Sequence, residues 1–228
     1  MTAWSLPIAS SAVLITFWIP RASGSRRTRV NDPVASLLAA LSRPGPGSSD
    51  FDLNPGTVLP EGRKLRPAGV LVPVTLAQGA PRVILTKRSS ALKHHPGQIA
   101  FPGGKQDEGD ADVIAAALRE AHEEIGLPRD LPQVLGTLPA HETVTSFMVT
   151  PVVAVIEHGF DIRPEPGEVE EVFTVPLSHL MAPGNYSVQS RRWRGQRRHY
   201  YTVPWGPYYI WGATARMLRG LAARMQDE

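Results

Sequence analysis

The stretch GKQDEGDADVIAAALREAHEEIGL, residues 104–127, decides the fold of this chain. Its second half places Arg119, Glu120, Glu123 and Glu124 at helical spacing. At about 100° per residue, the three glutamates share one face of a helix. The opposite side carries an apolar stripe of Ile114, Leu118, Ala121 and Ile125. We therefore predict an amphipathic helix whose apolar side packs on a core and whose acids face a ligand.

The three glutamates of this helix form a candidate metal site. Like charges one turn apart repel by roughly 0.2–0.5 kcal/mol per pair, so acids concentrated in this way usually have cations nearby. Oxygen ligands favour Mg²⁺ or Mn²⁺ over zinc. The alternative is a solvated acidic face with Arg119 as an exposed ion-pair partner. The flanks favour the metal site, because the loop 101–104 precedes the helix, Asp110 or Asp112 can cap its start, and Gly126 can cap its end.

The same stretch resembles the Nudix box, in which a glycine and an acid precede R-E-x-x-E-E-x-G and an aliphatic residue. The matching positions are Gly104, Arg119, Glu120, Glu123, Glu124, Gly126 and Leu127. Two features depart from the pattern: Asp110 replaces the usual glutamate, and eight residues instead of seven separate it from Arg119. This longer form with aspartate resembles the coenzyme A pyrophosphatase branch of the family.

A second signature of that branch lies just upstream of the box. It reads Leu85-Thr86-Lys87-Arg88-Ser89, then Lys93, Gly97 and Phe101-Pro102-Gly103-Gly104. Lys93 stands where arginine is typical, which keeps the charge but loses the bidentate fork. We expect Arg88 and Lys93 to bind substrate phosphates. The backbone of Gly103 and Gly104 can approach a phosphate closely because glycine has no Cβ.

The acids of the box receive individual roles. We predict Glu120 and Glu124 as the principal metal ligands, one helical turn apart. Glu123 is an additional ligand or an outer-shell acceptor, and the alternative is a solvated acid paired to a nearby base. Arg119 is expected to orient a glutamate by charge-assisted hydrogen bonds. The resemblance implies a further glutamate as general base, and Glu168 precedes a predicted strand in a suitable region, although it can equally be a solvated acid.

Together these features imply metal-dependent hydrolysis, with Mg²⁺ or Mn²⁺ as cofactor. The resemblance implies that the diphosphate of coenzyme A or its derivatives is split into 3′,5′-ADP and a 4′-phosphopantetheine species. One alternative is a broader Nudix enzyme acting on NADH, ADP-ribose or nucleoside triphosphates, and another is a nucleotide sensor without turnover. We expect a cytoplasmic protein with a small-molecule nucleotide partner, no nucleic-acid partner, no stable membrane insertion, and homodimerisation as a possibility.

Composition narrows the protein class. The 228 residues, 42% hydrophobic and 20% charged, are enough for one globular domain with a sizeable core. The absence of cysteine excludes disulfides, thiolate zinc sites and a cysteine nucleophile. Four of the 24 basic residues lie within residues 1–29, and the remaining 20 face 21 acidic residues. A broad nucleic-acid-binding surface is therefore not favoured.

Two regions are expected along the chain. Residues 1–29 form an N-terminal extension whose apolar run 8–19 is too short to span a bilayer and has no basic residue before it. That extension is a weak anchor, a disordered segment or the product of a start codon assigned too early. Residues 30–228 form the Nudix hydrolase domain.

Apolar patterning predicts the elements of this domain. Besides the acidic helix, we expect helices at 34–41, 177–180 and 209–225. We expect strands at 68–76, 83–86, 133–138, 147–156, 169–175, 186–194 and 197–203. The first two strands form a hairpin across 78–81, and the last two form another that turns at Gly195-Gln196. A Pro/Gly/Ser-rich connector, 43–62, should pack over the domain. These elements imply an α/β fold with a mixed sheet between helices, which is the Nudix-type α/β/α sandwich that the resemblance also implies.

The second hairpin is rich in basic and aromatic residues. Its arginines are Arg191, Arg192, Arg194, Arg197 and Arg198, and its aromatic residues include Trp193 and Tyr200. Such a cluster suits a phosphate and a base, but an arginine-rich hairpin tip is also typical of a solvated loop.

Overall fold

A computed structural model describes residues 32–226, apart from residues 60, 78 and 194. The predicted extension 1–29, Gln78 of the first hairpin turn and Arg194 of the second hairpin lie outside the described residues. The described chain contains four α-helices: α1 (Pro33–Ser42), α2 (Val113–Ile125), α3 (Leu177–Leu180) and α4 (Gly212–Gln226). No helix in this part of the chain is both long and apolar enough to cross a membrane.

Most strands join one mixed sheet. Its long strands are β2 (Arg66–Thr75), β3 (Arg82–Arg88), β8 (Phe147–Ile156) and β9 (Val169–Pro176). Its short strands are β1 (Ser48–Ser49), β4 (Ile99–Ala100), β5 (Gly103–Lys105), β6 (Gln133–Thr137) and β7 (His141–Glu142). Strands β10 (Ser187–Trp193) and β11 (Gln196–Thr202) form a separate hairpin.

Parallel strands β2 and β8 form the centre of the large sheet. They pair along their whole length, from Arg66 opposite Phe147 to Thr75 opposite Ile156. Strand β3 is antiparallel to both β2 and β9, and β5 pairs antiparallel with β2. The predicted β2–β3 hairpin is confirmed, although only two residue pairs of these strands are in register. Pairing with β9 instead extends along most of β3 and brings the residues after Arg88 close to those before Val169.

Helices cover both faces of this sheet. Strand residues alternate between the two faces, so Leu71 packs with the helix α2 residues Ala117 and Ala121. Its neighbour Val72 packs in a second apolar cluster with α1 and α4, which contribute Leu37 and Leu218. The predicted α/β/α sandwich is therefore confirmed.

Close backbone packing fixes helix α2 on the sheet. A Cβ at Gly69 of β2 would lie 1.9 Å from the carbonyl oxygen of Val113, so only glycine allows this approach. The Asp112 side chain caps the helix by accepting hydrogen bonds from the backbone N–H groups of Ile114 and Ala115 at 2.9 and 2.8 Å. The helix ends at Gly126, whose φ of 73° is left-handed.

The connector 43–62 packs on the domain, as predicted. His141 is fully buried, and its Nε2 lies 3.1 Å from Asp50 Oδ1 while its Nδ1 lies 2.9 Å from Ser48 Oγ. Asn54 binds the hairpin through both backbone groups of His199, accepting from its N–H at 2.8 Å and donating to its carbonyl at 2.9 Å. These contacts join the connector to two separate parts of the fold.

Several predicted element boundaries differ from the observed ones. Helix α4 begins at Gly212 instead of residue 209, because Trp205 pairs with Tyr208 and Trp211 pairs with Thr202 in isolated β-bridges. Gln196 belongs to strand β11 instead of the hairpin turn. The short strands β1, β4, β5 and β7 are absent from the prediction because segments of two or three residues have no readable periodicity.

Candidate active site

The glutamates of α2 differ in their exposure to solvent. Glu124 is buried at 4% exposure, Glu120 is half-buried, and Glu123 is exposed. The prediction that the acids lie opposite the apolar side is therefore wrong for Glu124. At helical spacing Glu124 falls next to the buried residues Ala117 and Ala121, so the acidic and apolar faces adjoin. One carboxyl group consequently points toward the sheet instead of into bulk solvent.

The loop before α2 contacts the buried acid. The backbone N–H of Gly103 donates to Oε2 of Glu124 at 3.1 Å. The pKa of Glu124 is raised to about 8, chiefly by burial and also by the negative charges of Glu120 and Glu168, while the Gly103 hydrogen bond and Arg88 oppose the shift. A group with this pKa readily exchanges a proton for another cation near neutral pH.

Gly104 shapes the space around Glu120. A Cβ built on Gly104 would lie 2.5 Å from both Cδ and Oε1 of Glu120, so this glycine leaves room for the carboxylate. Burial raises the pKa of Glu120, and the arginine Arg119 partly offsets the effect. Both glycines of the predicted phosphate loop thus contact metal-ligand candidates directly.

Arg119 holds the acidic residues around it. Its Nε and Nη2 form a two-pronged contact with the two oxygens of Asp110, each at 2.9 Å. Its Nη1 donates to Glu120 at 3.1 Å and to Glu123 at 2.9 Å, and its Nη2 also donates to the carbonyl of Lys105 at 3.1 Å. Glu123 is therefore an exposed acid paired to a nearby base, which is the alternative interpretation drawn from the sequence.

Asp110 holds the guanidinium group of Arg119, a role that the sequence analysis did not assign to it. The sequence leaves open whether Asp110 or Asp112 caps α2, and the structure assigns the cap to Asp112. Hydrogen bonds from Arg119 hold the pKa of Asp110 down at about 2, so it is ionised at neutral pH. The signal for its role was the matching acid in the Nudix box, six residues after Gly104.

Arg88 and Glu168 lie near the α2 acids, although they belong to other segments of the chain. Glu168 lies in the turn before β9, and its carbonyl accepts a hydrogen bond from the Ser89 N–H at 2.8 Å. The charge of Glu168 raises the pKa of both Glu120 and Glu124, while the charge of Arg88 lowers that of Glu124. The structure thus gathers both residues near the α2 acids.

Lys93 is placed differently from Arg88. It lies on the exposed loop 89–98 and forms no ion pair with an acid of the described chain. The loop returns to Arg88, whose backbone exchanges two hydrogen bonds of 3.0 Å with Gly97 and Gln98. Lys93 is therefore anchored near the site by its loop but does not contact the acids.

The α2 acids suit a hard divalent cation by their chemistry. Within the described residues, no three histidine, aspartate or glutamate side chains form a preassembled metal cage. Glu120 and Glu124 nevertheless supply carboxylate oxygens, which are the ligands that Mg²⁺ and Mn²⁺ prefer. Burial of the Glu124 carboxyl disfavours its bare negative charge, and a bound cation would offset that cost. The residues present therefore fit an oxygen-ligated metal.

The chain is similar to several known proteins. Residues 65–196 match the model of the NUDIX domain. The chain is 41% identical over 160 residues to an uncharacterized Nudix hydrolase, NudL, of Enterobacter sp. (strain 638), covering 70% of this chain and 83% of that protein. It is 40% identical over 163 residues to the NudL of Cronobacter sakazakii, covering 72% and 84%. The crystal structure of RenU, a Nudix hydrolase from M. smegmatis, shares 26% identity with a TM-score of 0.43 over 51% of this chain and 73% of that one.

Proposed function

Since this chain belongs to the Nudix hydrolase family and therefore hydrolyses a diphosphate bond in a nucleotide-like substrate, we propose that its substrate is coenzyme A or a derivative. The resemblance of the upstream signature to the coenzyme A pyrophosphatase branch supports this substrate class, and its residues Arg88, Gly103 and Gly104 lie beside the α2 acids. The products are then 3′,5′-ADP and a 4′-phosphopantetheine species. Water supplies the oxygen of the new P–O bond, and the bridging oxygen leaves with the other phosphate.

The cluster of Glu120, Glu124 and Glu168 beside Arg88 carries this proposal. We assign Glu120 and Glu124 as the principal ligands of Mg²⁺ or Mn²⁺, with Glu123 as an outer-shell acceptor. When bound, such a cation neutralises phosphate oxygens and acidifies water. Arg119 fixes the direction of Glu120 and Glu123, and Asp110 in turn fixes Arg119.

The remaining residues bind the substrate and accept a proton. Arg88 and the backbone of Gly103 and Gly104 bind the diphosphate, with Lys93 as a second cation from its loop. Glu168 accepts the proton of the attacking water. Its exposure in the turn before β9 leaves its carboxylate accessible to that water.

Product identification tests the proposal most simply. Purified protein is incubated with Mg²⁺ or Mn²⁺ and, in parallel, with coenzyme A, NADH or ADP-ribose, and products are identified by mass spectrometry. We expect 3′,5′-ADP and 4′-phosphopantetheine in equal amounts from coenzyme A, at a rate well above that of the other two compounds. Cleavage of NADH or ADP-ribose with coenzyme A left intact would reject coenzyme A as the substrate.

A further inference from the structure

A cation–aromatic cluster occupies one face of the β10–β11 hairpin. The guanidinium carbon of Arg191 lies 4.3 Å from the centre of the Trp211 ring. The Tyr200 ring meets the same indole edge-on, with 5.1 Å between ring centres. Arg191 is exposed, whereas Trp211 and Tyr200 are half-buried. The indole ring thus holds a guanidinium at the surface and is itself packed against Tyr200, and these three residues form the Arg191 cluster.

The Arg191 cluster is fixed in place by its surroundings. Trp211 pairs with Thr202 in a β-bridge, and Tyr200 lies in strand β11 opposite Gln189. The two hydrogen bonds from Asn54 to the backbone of His199 hold the adjoining residue of that strand. A cation in a pre-formed position loses little conformational entropy when it binds an anion.

The start of helix α4 places this cluster beside the candidate active site. A Cβ built on Gly212, next to Trp211, would lie 3.9 Å from Nε2 of Gln98. Two residues further on, Thr214 Oγ1 donates to the carbonyl of Ile99 at 3.1 Å. Gln98 itself is bound to Arg88 through its backbone. The end of the loop 89–98 therefore contacts both Arg88, near the α2 acids, and the start of α4, next to the Trp211 ring that holds Arg191.

His95 of this loop lies within range of the charges of both arginines. Partial burial lowers the pKa of His95, and the positive charges of Arg88, His94 and Arg191 lower it further, with Asp50 opposing. Both arginines therefore act on the same imidazole. A substrate that lies along this loop would pass from the diphosphate-binding acids at one end to Arg191 at the other.

The charge of Arg191 is not balanced by an ion pair within the part of the chain that the structure describes. Within the described residues, no carboxylate forms an ion pair with Arg191, and its register partner across the hairpin is another arginine, Arg198. An anionic ligand at this position would balance the charge of Arg191.

We propose that Arg191, held by Trp211, binds a phosphate monoester of the substrate at a distance from the diphosphate that is cleaved. This inference rests on the proposed function, because coenzyme A carries such a monoester on its ribose, at the 3′ position. Arg191 is then a specificity-determining residue that distinguishes nucleotides with this phosphate from those without it.

Binding measurements test this assignment without any cleavage. Calorimetry compares adenosine 3′,5′-bisphosphate with adenosine 5′-monophosphate for the wild type, Arg191→Gln and Arg191→Lys. Arg192→Gln is the matched control, because alternation places the neighbouring arginine on the other face of the hairpin. We expect the wild type to prefer the bisphosphate by roughly tenfold, as one charged hydrogen-bond partner predicts. Arg191→Gln should abolish the preference, Arg191→Lys should retain part of it, and Arg192→Gln should leave it unchanged.

Two results would overturn the assignment: equal binding of both nucleotides by the wild type, or an undiminished preference in Arg191→Gln. Thermal melting confirms that each variant is folded, and the lysine variant gives an independent comparison if the glutamine variant melts early. The outcome is separate from that of the cleavage assay. A preference that depends on Arg191 in a protein that leaves coenzyme A intact would reject the proposed substrate but not the phosphate site.

Discussion

Glu124 is the buried carboxyl group of the candidate site. Its carboxyl group is almost fully buried and has two acidic neighbours, Glu120 and Glu168, while Arg88 and one backbone N–H partly compensate. These surroundings favour a neutral carboxylic acid when no cation is bound. The same surroundings favour binding of a cation, because it removes both the repulsion and the uncompensated buried charge.

We predict that the stability of the metal-free protein depends on Glu124 above pH 5. The folded pKa of about 8 exceeds the ordinary value of 4.5, so the folded state binds the proton more tightly than the unfolded state. The stabilisation is complete below about pH 4.5 and is lost as the pH rises toward 8. Urea unfolding of the chelated wild type should therefore show that the free energy of unfolding decreases as the pH rises from about 4.5 to 8. The decrease should be on the order of a few kcal/mol at most.

Glu124→Gln provides the comparison for this pH dependence. The amide does not ionise, so its free energy of unfolding should decrease less over the same pH range. Addition of Mg²⁺ at pH 8 should stabilise the wild type more than the variant, because only the wild type has the carboxylate. Identical pH profiles for the two proteins would contradict the raised pKa.

Glu168 is predicted to act in turnover more than in substrate binding. Replacing it by glutamine removes the proton acceptor but keeps the size of the side chain, so kcat should fall by roughly 10²–10⁴-fold with little change in KM. Glu165→Gln is the control, since Glu165 is an exposed acid in the same turn. Steady-state kinetics with coenzyme A measure both constants. A kcat of Glu168→Gln equal to that of the control would remove Glu168 from the mechanism.

Strand β5 contacts the acids of helix α2 through its two glycines, Gly103 and Gly104. The two glycines differ in what surrounds them. Gly103 has a φ of 150°, and a Cβ added to it would lie 2.5 Å from backbone atoms of both Gly69 and Val70. Gly104 instead faces the end of the Glu120 side chain, which can move.

This difference predicts opposite outcomes for two alanine substitutions. Gly103→Ala should destabilise the fold by about 1–3 kcal/mol, because backbone atoms must shift to admit the methyl group. Gly104→Ala should unfold near the wild-type urea concentration but lose most of its activity, because the methyl group displaces the Glu120 carboxylate. Urea unfolding and cleavage rates measure the two effects. Wild-type activity in Gly104→Ala would show that the position of Glu120 is not critical.

The acidic helix was the element most accessible to sequence reasoning. Its apolar spacing, its cap residues and Gly126 are all local signals, and α2 runs between Asp112 and Gly126 as they indicate. The burial of Glu124 was not accessible in the same way. It depends on how the helix is rotated against β2, which the contact between Gly69 and Val113 determines. A helical wheel gives the order of residues around the axis but not the boundary of the buried face.

At the scale of the whole fold, the candidate site is formed by segments that are far apart in the chain. Arg88 ends β3, Gly103 and Gly104 lie in β5, the acids lie in α2, and Glu168 precedes β9. The box and its upstream signature are short motifs, so their residues could be predicted from sequence together with the α/β class. The neighbourhood of Glu168 required the long-range pairing of β3 with β9, which sequence patterning does not specify. The position of Arg191 beside Trp211 likewise depends on packing between the hairpin and the start of α4.

The metal dependence of cleavage tests the central claim most directly. The rate of coenzyme A hydrolysis is measured against Mg²⁺ concentration for the wild type, Glu120→Gln, Glu124→Gln and the control Glu108→Gln, an exposed acid before α2. We predict that the wild type and the control respond alike and lose activity with chelator, while each ligand variant is slower by at least about 100-fold at saturating substrate. Ligand variants that cleave at the wild-type rate, or a wild type that remains active without divalent ions, would contradict the account.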